Sequence, residues 1–63
     1  MADIKLELNK RYLIMEKTGL IKGLFEATVE EIAPSGKWFK LKKDGGFNFW
    51  VEEAEIVVLE ELK

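Results

Sequence analysis

Apolar side chains recur at every second position through most of this chain, and no window of ten residues holds an amphipathic helix. A period of two belongs to half-buried strands, whose successive side chains point to opposite faces. Ile4, Leu6 and Leu8 alternate with Lys5 and Glu7, so this stretch reads as a strand, with Asn9-Lys10 as the turn after it. Tyr12 to Lys17 (YLIMEK) is apolar on both faces, as a central strand would be. Thr18-Gly19 and Gly23 bracket a loop carrying Leu20 and Ile21, which are expected to fold back over one end of the core. Along Leu24 to Ala33, residues Phe25, Ala27 and Val29 face inward, and the phase then slips to Ile32. An extra residue at Glu30-Glu31, forming a β-bulge, explains the slip.

The remaining strands are set off by turns with a chemical cause. In Pro34-Ser35-Gly36, proline presets one backbone angle and glycine supplies freedom at the end. Asp44-Gly45, extended by Gly46, is the strongest hairpin signal in the chain. It predicts that Lys37–Lys43 pairs with the strand ending at Val51. Phe39, Leu41, Phe47, Phe49 and Val51 then share the inward phase and are expected in the core. Residues 52–55 have the length of one 3₁₀ turn, and Ile56 to Leu62 (IVVLEEL) forms a final strand. That strand is apolar on both faces in its first half. It is expected to pack against Ile4–Leu8 or a second subunit, so a homodimer is one expectation.

Five or six short strands in 63 residues predict one all-β domain, and a small barrel hides its edges best. An OB-like barrel is the alternative; it usually carries a helix between strands, and this chain has no segment for one. With neither cysteine nor histidine, disulfides, thiolate metal sites and the usual neutral-pH acid–base group are excluded. Apolar packing must therefore hold the fold, in a chain short enough to bury only about 60% of its unfolded surface.

The loop TGLIKG, the long bent strand LFEATVEEIAP, the hairpins turned by PSG and DGG, and the closing FWVEEAEIVVL resemble a Src-homology-3-like barrel. That group includes Tudor and KOW modules. The resemblance spans roughly residues 12–62 and implies a five- to six-stranded barrel with a binding role. The Pro and Tyr that line a proline-peptide groove in signalling domains of this shape are absent, and Glu52 and Glu55 stand near those places. The resemblance therefore does not imply recognition of proline motifs.

Catalysis finds no support in the residues. Glu30-Glu31, Glu52-Glu53 and Glu60-Glu61 are adjacent pairs, which a strand directs to opposite faces. No nucleophile–base or phosphate-loop motif is present, so no enzymatic activity, cofactor or metal is expected. The aromatic and basic stretch GKWFKLKKDGGFNFW is different. Trp38 and Trp50 fall on the outward phase, together with Lys40, Lys42 and Asn48. Outward tryptophans beside lysines have two readings. They brace an exposed sheet by cross-strand packing under lysine stems, or they form a contact patch for a partner.

A protein or peptide partner is the leading expectation, because the net charge is only −2. Aromatic residues converging on a small pocket could also hold a methylated ammonium group. The alternative is single-stranded nucleic acid, stacked on the tryptophans with Lys10, Arg11, Lys37 and Lys43 adding phosphate contacts. A further alternative is a structural subunit that works only as an oligomer. The charged N-terminus MADIKLELNKR fits neither a signal nor a transit peptide, and no apolar run reaches membrane-span length. The expected location is cytoplasmic. Ten Glu and nine Lys with no Gln resemble the usage of heat-adapted proteins.

Overall fold

The computed structural model describes residues 4–18 and 22–63. They form an all-β fold of five strands: β1 (Arg11–Glu16), β2 (Gly23–Ile32), β3 (Trp38–Lys43), β4 (Asn48–Glu52) and β5 (Ile56–Leu62). One 3₁₀ turn, Glu53–Glu55, joins β4 to β5. All pairings are antiparallel in the order β4-β3-β2-β1-β5. The strands build a compact sheet that does not close into a barrel. β4 and β5 remain its edges, and the 3₁₀ turn spans between them. At one end of that turn Glu53 N–H donates to the Lys37 carbonyl at 2.8 Å, and at the other Lys17 N–H donates to the Glu55 carbonyl at 2.8 Å.

The core follows the alternation. Tyr12 and Ile14 of β1, Phe25, Ala27 and Val29 of β2, Phe39 and Leu41 of β3, Val51 of β4 and Ile56 of β5 are buried together with Leu6. β1 lies between β2 and β5, with Tyr12 and Ile14 on its buried face and Leu13 and Met15 on the partly exposed one. The bulge expected at Glu30-Glu31 is present: Val29 faces Leu41, Glu31 faces Lys40, and Glu30 is the extra residue. Both hairpin turns form where the glycines are. Gly36 (φ +75°) donates its N–H to the Ala33 carbonyl at 2.8 Å. Gly45 (φ +70°) sits at the tip of the β3–β4 hairpin, a backbone region where a side chain is strained.

Two expectations need correction. Ile4–Leu8 alternates but is not a strand. Its anchor is a side chain: Glu7 N–H donates to the Tyr12 hydroxyl (2.9 Å), which donates to the Lys5 carbonyl (3.2 Å). Asn9 turns the chain through a left-handed conformation (φ 67°) and bonds onto Val29, so Leu6 is buried while Leu8 is 51% exposed. In the sheet β5 pairs with β1, while Leu6 shares the buried cluster with Ile56, and Ile4 and Val58 pack against it. Phe47 is not in the core; it precedes β4 at the open end of the hairpin and is 49% exposed. It leans on half-buried Phe49, which leans on Phe25, with ring centroids 5.5 and 5.7 Å apart. The fold-back expected of Leu20 and Ile21 lies outside the described residues.

Candidate functional site

The β3–β4 hairpin decides where the tryptophans stand. Its register places Trp38 opposite Glu52, Lys40 opposite Trp50, and Lys42 opposite Asn48. All six side chains therefore point to the same outer face, as alternation requires. The tryptophans are diagonal neighbours, not a direct cross-strand pair, and diagonal positions are within reach of aromatic side chains. Trp38 is 45% and Trp50 46% exposed, so each indole keeps nearly half its surface in water.

The basic part of this face is bordered by acid from β2. Lys40 Nζ lies 3.8 Å from Glu31, the residue it faces across the bulge, and Asn48 Nδ2 donates to Glu30 at 3.1 Å. Lys42 faces Thr28. Lys37 stands exposed between the PSG turn and β3. Lys43 has the inward alternation, opposite Ala27, and is thus separated from Lys40 and Lys42.

Lys10 and Arg11 are occupied by charges of the chain itself. Lys10 pairs with Glu7 (3.2 Å) and Glu61 (3.7 Å), and the hydrogen bond to Glu7, then the Glu61 charge, raise its pKa. Arg11 binds Asp44 in the DGG turn and Glu26 on β2 (3.0 Å), and donates to the Lys63 carbonyl at 3.1 Å. The guanidinium hydrogen bond holds the Asp44 carboxyl below its usual range and raises Arg11 further. This cluster fastens the β3–β4 turn to β1 and β2.

On its other side the tryptophan pair borders an open cleft of about 340 Å³. Trp38, Trp50, Phe49 and Val51 supply its apolar wall, and Glu16, Glu52, Glu55 and Thr18 its polar one. Both faces of β4 contribute, so the cleft runs along the edge of that strand. The Thr18 hydroxyl donates to the Glu55 carboxylate, and buried Glu16 accepts the Lys22 N–H at 3.1 Å. Glu52 has no ion-pair partner among the described residues. None of the lining side chains is cationic.

The sequence pattern therefore located Trp38, Trp50, Lys40, Lys42 and Asn48 on one face. It missed the carboxylates that meet the tryptophans, because Glu16, Glu52 and Glu55 come from three different elements. The nearest sequence signal was that Glu52 and Glu55 occupy places where related-looking folds carry proline and tyrosine.

Among the described residues no cluster of acidic side chains is arranged to hold a metal ion, and no helix is long and apolar enough to cross a membrane. Compared with protein-family models, with curated proteins and with solved structures, the chain matches none.

Proposed function

We propose that this chain is a small, non-enzymatic binding module of Src-homology-3-like architecture. It meets a protein or peptide partner through the outer face bearing Trp38, Trp50, Lys40, Lys42 and Asn48. The observation that carries this reading is the pair of indoles, each nearly half exposed and both lining one open cleft. Solvated tryptophan is costly in so small a chain, and large aromatics flanked by polar groups are the usual anchors of protein interfaces. Such a module works in the cytoplasm and takes no cofactor.

Single-stranded nucleic acid is the second reading, supported by Lys40 and Lys42 standing beside the indoles. It is the weaker one, since Lys10 and Arg11 are committed to intramolecular ion pairs and Lys40 to Glu31.

A displayed library of random peptides, selected against the chain and re-tested on the Trp38→Ala/Trp50→Ala variant, tests the proposal. Selected peptides are expected to lose at least about ten-fold in affinity, the scale of an interface hot spot. Peptides that bind the folded double variant as tightly as the parent chain overturn it. So does a chain whose tryptophan fluorescence is quenched by short oligonucleotides, in a salt-dependent way, and by no peptide.

A further inference from the structure

The two walls of the cleft and the edge beside it carry complementary information about the partner. In an antiparallel pair, residues alternate between those that exchange main-chain hydrogen bonds with the neighbour and those whose N–H and C=O point away. Lys43 N–H donates to the Phe47 carbonyl at 3.0 Å, and Glu53 N–H donates to the Lys37 carbonyl at 2.8 Å. These two bonds fix the phase at both ends of the hairpin, and the register between them is unbroken. Phe49 and Val51 therefore bond to β3. Asn48, Trp50 and Glu52 turn their main-chain groups to the opposite side, where the sheet has no further strand. Among the described residues, no backbone hydrogen bond engages them from that side. A free edge of this kind is a template for an added strand.

The side chains beside that edge choose the strand. A cation is attracted to the face of an indole and to carboxylates alike. Here two indoles and three carboxylates converge on one cleft with no lysine or arginine among its lining residues. A planar guanidinium suits both walls at once, because it stacks on an aromatic face while its fork bonds a carboxylate. A second copy pairing through its own β4 would bring Asn48, Trp50 and Glu52 again, adding carboxylate to carboxylate.

Building on the peptide-binding reading above, we infer that the partner is an extended, arginine-bearing segment. It adds as a strand to the edge of β4 and places a guanidinium between Trp38, Trp50 and Glu52. Main-chain bonds to Asn48, Trp50 and Glu52 supply sequence-independent affinity, and the cleft supplies the preference for positive charge. Glu16 and Glu55 are already held by Lys22 and Thr18. They shape the acidic wall, and Glu52 makes the direct contact.

The test is a two-dimensional amide NMR titration with three probes. They are a blocked peptide alternating arginine and threonine, its glutamate–threonine counterpart, and a short single-stranded oligonucleotide. The arginine peptide is expected to shift the amides of Asn48, Trp50 and Glu52 and both indole N–H signals, and to protect those three amides from exchange. Glu52→Gln is expected to weaken it about five-fold, the effect of one partly exposed charge pair. Methylating alternate peptide nitrogens, which removes strand donors and keeps the charge, should abolish the exchange protection.

Equal binding of the glutamate peptide at the same face overturns the choice of a cation and leaves the tryptophan face as a peptide site. Binding that survives N-methylation unchanged overturns strand addition. A response to the oligonucleotide alone, or to no probe, overturns this inference, while the random-peptide selection decides separately whether the peptide reading falls with it. Shifts of the same amides on raising the protein concentration alone assign the edge to a second copy, and the inference falls.

Discussion

The two edges of this sheet are both open, yet they differ in what they offer. Beside β5 lies the larger hollow, about 890 Å³, lined mainly by aliphatic residues such as Ile4, Leu6, Ile32, Ile56 and Val58. Beside β4 lies the smaller cleft, with two indoles and three carboxylates. The β5 side is continuous with the core: Leu6 and Ile56 belong to the buried cluster, and Ile4 and Val58 pack against it. Among the described residues, Lys5 and Glu53 are the only charged side chains lining it, so it has few polar groups to orient a ligand. The β4 side has a small apolar wall with convergent polar groups, the combination that gives a site its specificity. Volume and hydrophobicity alone would favour the β5 edge, whereas the proposed function rests on the mixed chemistry of the β4 cleft.

The difference predicts that side-chain truncation acts on stability at one edge and on binding at the other. Ile56→Ala, in the core beneath the β5 edge, should cost about 2–4 kcal/mol, the usual range for truncating a buried aliphatic. In so small a domain that is a large share of the total stability. Urea denaturation measures it, and a loss no greater than that of Trp50→Ala would erase the distinction between the edges.

A smaller effect is expected at the tip of the hairpin that brings Trp38 and Trp50 together. Gly45→Ala places a side chain at φ +70° and should cost about 1–2 kcal/mol, through backbone strain and not lost packing. Thermal melts should show Gly45→Asn closer to the parent, since asparagine tolerates that region; equal losses for the two variants would refute the strain account.

The smallest effect concerns the charges that fasten this tip. Asp44 is held low by Arg11, so it contributes stability above its unfolded pKa and loses that share as pH falls through its folded value. The window lies on the acid side of the ordinary 3.8. Arg11→Ala should return the Asp44 midpoint toward that value in a carboxyl NMR titration, with the tryptophan signals unmoved. A midpoint unchanged by the substitution would remove the Arg11 contact as its cause.

Much of this fold was legible because strand alternation is local. Phe25, Ala27, Val29, Phe39, Leu41 and Val51 are buried as their phase required, the bulge sits where the phase slipped, and both glycine turns are in place. Where alternation misled, the cause was an end effect. Ile4–Leu8 has the pattern of a strand, but its backbone is engaged by the Tyr12 hydroxyl, a contact no periodicity reports. Phe47 has the inward phase but lies past the last turn of core that could cover it. A second irregularity, between β1 and β5, has no counterpart in the alternation. β1 pairs Leu13 with Glu60 and Ile14 with Val58, leaving Leu59 as the extra residue. The apolar run IVVL hid the slip, because every phase through it looks buried.

By itself, then, the sequence determined the strands, their inward faces, the hairpin register around Asp44-Gly45-Gly46, and the outward phase of Trp38 and Trp50. All of these depend on spacing within one or two neighbouring segments. Only the tertiary structure decided that the sheet stays open, which edges are free, and that Glu16, Glu52 and Glu55 meet the tryptophans. Those facts depend on how β1, the 3₁₀ turn and β4 converge, and contacts between segments far apart in the chain leave no period in the sequence. The tryptophan pair that looked like part of a basic strip is, in three dimensions, one wall of an acidic cleft.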